Sequence, residues 1–204
     1  MKTFFYTVER TAIAEFRDRG SRFVAYVFSA TNPADVKQYL QQLKKEHPKA
    51  VHHCYAYRLG LDENNFRAVD DGEPAGTAGK PILGQIDCRE LTNVCIIVVR
   101  YFGGTLLGVP GLISAYKTVS SLVLQVVPIV SKPILKHYTL EFDYTRMNDI
   151  MQVMRRCQGI VTEQASMLFC SMNAAVPLNH EKEFLYQIEN IPGVGCKENE
   201  IKFL

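Results

Sequence analysis

The 204-residue sequence predicts an α+β protein built from two consecutive domains, and three observations carry that expectation. Stretches rich in β-branched and aromatic residues alternate with stretches whose apolar positions recur at helical spacing. The apolar run Val94-Cys95-Ile96-Ile97-Val98-Val99 reads as a central strand. Pro128 and Ser131-Lys132-Pro133 then end the long helical pattern and mark a boundary, placing the domains at 1–131 and 132–204.

Residues 21–30 form the first main strand, after a polar segment that ends at Gly20. Thr31-Asn32-Pro33 signals entry into a helix on which Val36, Tyr39, Leu40 and Leu43 share one side, and His47-Pro48 stops it. Residues 51–59 alternate as a strand, with His52, Cys54, Ala56 and Arg58 on one face and Val51, His53, Tyr55, Tyr57 and Leu59 on the other. A turn at 60–65 leads to a hairpin partner at 66–69, which delivers Asp70 and Asp71 to its end. Residues 78–87 are helical, with Ile82, Leu83 and Ile86 buried. After Gly111, a long helix carries the stripe Leu112, Tyr116, Val119, Leu122, Val123 and Val126.

In the second domain, 135–144 reads as a strand. A short helix follows, with Met147, Ile150, Met151, Met154 and Cys157 on one face, and Gly159 is its stop signal. Residues 160–166 and 168–176 pair antiparallel. A helix from 180 to 188, a turn at 191–195 and a final strand near 201–204 complete a β-α-β-β-α-β order, which closes as a ferredoxin-like four-stranded sheet.

Composition narrows the function classes. Hydrophobic residues make up 47% of the chain, enough for a substantial core. No apolar run approaches the roughly 18 residues needed to cross a bilayer. The opening Met1-Lys2-Thr3-Phe4-Phe5-Tyr6 resembles a signal peptide until Glu9, Arg10 and Glu15 interrupt it, so a cytoplasmic protein without a membrane partner is expected. Cys54, Cys88, Cys95, Cys157, Cys170 and Cys196 have no close ligand spacing and read as reduced thiols. Residues 1–131 carry 15 Lys/Arg against 12 Asp/Glu, a charge of +3, and 132–204 carry 8 against 9, a charge of −1. Attraction to a polyanion must therefore come from local patches.

The chemistry concentrates in two glycine-rich loops, 70–81 and 100–111. Backbone N–H groups of Gly76, Gly79, Gly103 and Gly104, together with Lys80 and Arg100, form a candidate anion or RNA site, with Tyr101 as a base-stacking candidate. The first loop is not a Walker A motif, because Pro74 stands where a glycine is needed and Pro81 replaces the Ser/Thr hydroxyl. Nor does Gly103-Gly104 match a dinucleotide-binding turn. Asp70, Asp71 and Glu73 are a candidate acidic or metal site if they converge, and capping residues if they do not. His52 and His53 diverge on a strand and make a poor bidentate pair. No motif identifies catalytic residues. A secondary basic patch is drawn from Arg17, Arg19 and Arg22 around the first strand and Lys44, Lys45 and Lys49 at the end of the first helix, with Arg155-Arg156 in the second domain.

These residues carry a family resemblance. Ser21-Arg22-Phe23, His52-His53-Cys54, the run from Asp70-Asp71-Gly72-Glu73-Pro74 to Gly79-Lys80-Pro81, and Val99-Arg100-Tyr101-Phe102-Gly103-Gly104 with Leu107-Gly108 and Gly111-Leu112 resemble the bacterial YigZ/IMPACT family. The resemblance implies an N-terminal IMPACT domain of ribosomal-protein-like two-layer α/β form, then a ferredoxin-like domain similar to the last domain of elongation factor G. It implies no reaction and no cofactor, and for bacterial members an RNA- or ribosome-associated role in translation. The kinase-regulating role of eukaryotic relatives is not transferred, because the chain has no room for their added module. The expected function is noncatalytic binding of structured RNA or a ribosomal component, with no established protein partner. A metal-dependent small-molecule or phosphate-processing enzyme and a protein-interaction module are the alternatives.

Overall fold

The computed structural model describes residues 2–62, 64–166 and 170–199. They separate into two compact units, one formed by Phe5–Lys132 and the other by Met1–Phe4 with Pro133–Leu204.

The first unit is organised by a five-stranded antiparallel sheet in the order β2-β3-β6-β4-β5, where β2 is Ala12–Asp18, β3 Ser21–Ser29, β4 His52–Arg58, β5 Phe66–Val69 and β6 Val94–Tyr101. Central β6 is apolar on both sides, and all six residues from Val94 to Val99 are fully buried. Val94, Ile96 and Val98 pack with α2 (Gly79–Asp87) and α3 (Gly108–Val126). Cys95, Ile97 and Val99 pack with α1 (Pro33–Glu46). The expected two-layer arrangement is therefore corrected to three layers. Covering one face only would leave three large side chains in water, each worth about 1.5–3 kcal/mol of burial. That loss is comparable to the whole stability of an ordinary domain, about 5–15 kcal/mol.

The polar segment before Gly20 is strand β2, which pairs with β3 through a two-residue turn at Arg19 (φ 45°) and Gly20 (φ 81°). Both turn residues are left-handed, as the twist of a tight hairpin requires. Its alternation of half-buried and exposed residues is the pattern of an edge strand, masked in the sequence by charges on the outer face. Helix α1 begins with a capping box: Asn32 Oδ1 accepts from Ala34 N and Asp35 N, while Asp35 accepts from Asn32 N. Helix α3 starts at Gly108, four residues before Leu112, and Leu124 takes the buried place expected of Val126, which is exposed. A further short pair joins β1 (Phe4–Val8), whose opening residues resemble a signal peptide, to β7 (Ile129–Pro133), at the boundary that the prolines mark.

The second unit runs β8 (Leu135–Phe142), α4 (Met147–Arg156), β9 (Ile160–Ser166), β10 (Cys170–Pro177), α5 (Glu181–Glu189) and β11 (Gly195–Asn199). The sheet order is β11-β8-β10-β9. One core joins Tyr138, Leu140, Phe142, Met172 and Ala174 to Ile150, Met154, Phe184 and Ile188. The left-handed residue after α4 is Gln158 (φ 53°), not Gly159, whose N–H returns to Met154 O. Of the expected last strand, 201–204 lies outside the described residues, and β11 begins at Gly195 inside the stretch expected to be a turn.

Candidate functional site

The first glycine loop is folded around Asp70. Its Oδ1 accepts from Ala78 N at 3.0 Å and Gly79 N at 2.8 Å, and its Oδ2 from Gly76 N at 2.9 Å. Burial pushes this carboxyl up, yet the donors from Gly76, Gly79 and Ala78 and the charge of Lys80 outweigh it and hold the group below its ordinary value. The N–H groups expected to receive an external anion thus already have an internal one, fixed at the end of β5, and the anion role of Gly76 and Gly79 is corrected. Gly79 serves close packing instead: a Cβ there would lie 2.5 Å from Val69 N. Lys80 is exposed in the first turn of α2.

Asp71 and Glu73 do not join Asp70. Asp71 adopts φ 45°, and its Oδ2 accepts from His53 N at 2.7 Å. Its carbonyl faces His52 Nδ1 at 2.8 Å, and because a carbonyl only accepts, Nδ1 carries the hydrogen. Glu73 turns inward, where Oε1 accepts from Arg100 Nη1 at 2.5 Å and Tyr116 OH at 2.8 Å, with His52 Nε2 3.9 Å away. Among the described residues, no group of three His, Cys, Asp or Glu side chains is placed to hold a metal. The three acidic residues are satisfied separately, so the expected convergence into an acidic or metal site is corrected.

Arg100, whose place at a strand end suits either an external phosphate or a pairing with Asp70, Asp71 or Glu73, pairs with Glu73. It is only 5% exposed, neutralised by Glu73, and lies under the rings of Phe23 and Phe102 at 5.4 and 5.8 Å. Its Nη2 reaches Ser21 Oγ at 3.4 Å, and that same oxygen accepts from Gly103 N at 3.2 Å. An apolar strand can carry a guanidinium at its end only if a carboxylate meets it, and Glu73 does so from 27 residues away. The shared cationic recess of Lys80 and Arg100 is therefore corrected to one exposed lysine and one internally paired arginine. Gly103 is a packing residue, since a Cβ would lie 1.9 Å from Gly20 C, whereas Gly104 (φ 86°) faces open space. The single S–H of Cys54 has Asp70 O at 2.9 Å and Tyr116 OH at 3.2 Å as acceptors within reach, and burial pushes its thiol up, away from nucleophilic reactivity.

On the α1 side of the sheet, a second cluster forms. His47, at the end of α1, meets Tyr26 OH through Nε2 at 2.6 Å and Tyr101 OH through Nδ1 at 2.7 Å. A neutral imidazole has one donor and one acceptor, so one tyrosine donates and the other accepts. Arg22 pairs across the ladder with Tyr101 and lies 5.7 Å from its ring. Val51 N donates to Arg100 O, which carries the 47–51 segment with Lys49 along the end of β6. Lys44 and Lys45 are exposed in the last turn of α1, where cations complement the helix dipole. Arg17 and Arg22 both bind Glu15, at 2.7 Å each, and Arg19 is exposed at the hairpin turn. Neither Tyr26 nor His47 is legible in the sequence as part of a site, because residues 26, 47 and 101 share no local spacing.

A double-sided antiparallel sheet, with two glycine loops ordered around a buried Glu–Arg pair and a basic rim at one end, defines the class of α+β protein. Residues 19–124 match the family described as Impact N-terminal domain. Over 159 residues the chain is 34% identical to the IMPACT family member YvyE of Bacillus subtilis (strain 168), covering 78% of this chain and 73% of that one. Over 166 residues it is 34% identical to the IMPACT family member YigZ of Escherichia coli (strain K12), covering 80% and 81%. A solved structure described as "Crystal structure of an hypothetical protein" aligns with a TM-score of 0.78 at 28% identity, covering 99% of this chain and 100% of that one. The chain belongs to the IMPACT family, in its bacterial YigZ type. No helix among the described residues is long and apolar enough to cross a membrane.

Proposed function

We propose that this chain is a noncatalytic cytoplasmic protein that binds structured RNA of the translation machinery. The observation that carries the reading is that His47, hydrogen-bonded to Tyr26 and Tyr101, follows the exposed Lys44 and Lys45 of the last turn of α1 and precedes exposed Lys49, while Arg22 lies 5.7 Å from the Tyr101 ring. Exposed cations around an aromatic edge contact phosphates without reading sequence. Lys80 adds a secondary contact, and Arg100 acts only as the internal support of the loops. The separate satisfaction of Asp70, Asp71 and Glu73 favours binding over metal-assisted chemistry. In the second unit, the β-α-β-β-α-β order supports a ferredoxin-like domain resembling the last domain of elongation factor G, and the first unit supports a ribosomal-protein-like domain with an added layer.

The test is a salt titration against ribosomal particles and structured RNA. Four phosphate contacts give a slope of log K on log salt of about −3 to −4. Lys44→Ala, Lys45→Ala and Lys49→Ala each flatten it by about 0.7–0.9. Unchanged binding in the triple variant refutes the site.

A further inference from the structure

His47 does more than hold the basic rim in place. It is the half-buried C-cap residue of α1, and each of its ring nitrogens meets a tyrosine hydroxyl, Nε2 that of Tyr26 at 2.6 Å and Nδ1 that of Tyr101 at 2.7 Å. The two phenol rings stand 5.5 and 6.0 Å from the imidazole, centroid to centroid. A hydroxyl can donate or accept, so this cradle serves either charge state of the ring. In the neutral ring one nitrogen donates and the other accepts. When a proton from solvent joins the accepting nitrogen, both nitrogens donate and both hydroxyl oxygens accept, and neither nitrogen loses its partner.

We propose that His47 links RNA binding to pH: contact with a phosphodiester backbone takes up a proton at His47, and affinity rises as the pH falls from 8 to 6. The inference rests on the RNA reading above and names the regulation of that site. The charges around the ring set its sensitivity. Within three residues along the chain lie Lys44, Lys45, Glu46 and Lys49, and the carbonyl end of α1 favours a cation at its cap. Strand β3 contributes Tyr26 and Arg22, the latter tied to Glu15, and β6 contributes Tyr101. On β4, His53 feels the charges of Asp71, Lys44 and His47, and burial favours its neutral form. The cations Arg22, Lys44, Lys45 and Lys49 outnumber Glu15, Glu46 and Asp71, so in the free chain they oppose one more positive charge. A bound phosphate offsets those cations. By linkage, an anion that favours the proton is held more tightly once the proton is there. Phosphodiesters keep a fixed charge over this interval, whereas imidazole changes charge within it.

The test uses the full chain and a fluorescently labelled RNA hairpin at fixed ionic strength, read by anisotropy at pH 8, 7 and 6. Calorimetry in two buffers of different ionisation enthalpy reads the protons exchanged. The parent chain is expected to bind about fivefold more tightly at pH 6 than at pH 8, the low end of ordinary coupling, with net proton uptake at pH 7. His47→Gln, which carries no charge at either pH, is expected to lose both the gain and the uptake. Tyr101→Phe keeps the ring but removes one acceptor of the imidazolium, and is expected to show a smaller gain than the parent chain. His53→Gln, on the neighbouring strand, and His180→Gln, in the second unit, are expected to keep the whole gain. A pH profile in His47→Gln as steep as the parent's overturns the inference, as does a gain that disappears in His53→Gln instead. A flat profile in the parent chain, with binding at pH 8 still weakened by the triple lysine change, overturns the inference and leaves the RNA reading standing. Absence of RNA binding at every pH removes the RNA reading and the inference with it.

Discussion

Glu73→Ala isolates the interaction on which both glycine loops rest. Among the described residues, Glu73 Oε1 is the only carboxylate oxygen that accepts from Arg100 and Tyr116, and the Arg100 guanidinium is almost wholly buried. Without Glu73, a charge remains in the interior with a 3.4 Å contact to Ser21 Oγ, and among the described residues its Nε already has no hydrogen-bond partner. Breaking a buried pair from one side costs about 3–5 kcal/mol, more than the two hydrogen bonds alone, because the remaining charge is uncompensated. Glu73→Gln keeps an acceptor oxygen and is expected to lose about half as much. The double change Glu73→Leu with Arg100→Met removes both charges and is expected to return to within about 2 kcal/mol of the parent chain. The chain has no tryptophan, so urea unfolding is followed by far-UV circular dichroism, with hydrogen exchange of the β6 amides reporting on this unit. A loss below about 1 kcal/mol in Glu73→Ala, or a double variant as unstable as the two single losses added, refutes the reasoning.

Other perturbations separate packing from binding. Gly103→Ala is expected to cost at least about 2 kcal/mol, since its Cβ would meet Gly20 backbone at 1.9 Å; Gly104→Ala, strained only by its positive φ, about 1 kcal/mol. Equal urea midpoints for the two would contradict the close approach. Asp70→Ala leaves the N–H groups of Gly76 in the loop and of Ala78 and Gly79 at the start of α2 without their acceptor and is expected to cost about 1–3 kcal/mol, measured in the same unfolding assay. The native pKa of Asp70 lies below 3.8, so its contribution is present above that pH and is lost as pH falls through the native value. Burial lowers the pKa of His53 below 6.5. The unfolded chain therefore takes up a proton first as pH falls below 6.5, and stability declines over that interval. His53→Gln is expected to flatten this part of the curve, and an unchanged slope would remove His53 as its cause.

Some of the site was legible because its signal is local. Residues 78–87 as a helix and 94–99 as a strand follow from the order of apolar side chains, and the loops around Gly76, Gly79, Gly103 and Gly104 follow from glycine placement. The uses of those glycines were not legible. A glycine demanded by an anion and one demanded by neighbouring backbone look alike in sequence, and only the approach of Gly103 to Gly20 distinguishes them. Strand β2 is not legible in the sequence because Glu15, Arg17 and Asp18 dominate its composition, while its half-buried alternate residues meet α3 only in the folded unit.

The sequence alone determined the helices, most of the strands except β1, β2 and β7, and the family motifs, since those depend on neighbours within a few residues. Tertiary structure decided that the sheet is covered on both faces and that Asp70 closes the first loop upon itself. It also decided that Arg100 faces Glu73 instead of solvent. These outcomes are set by residues far apart in the chain, whose charges and backbone donors find their cheapest partner only once the strands are in register.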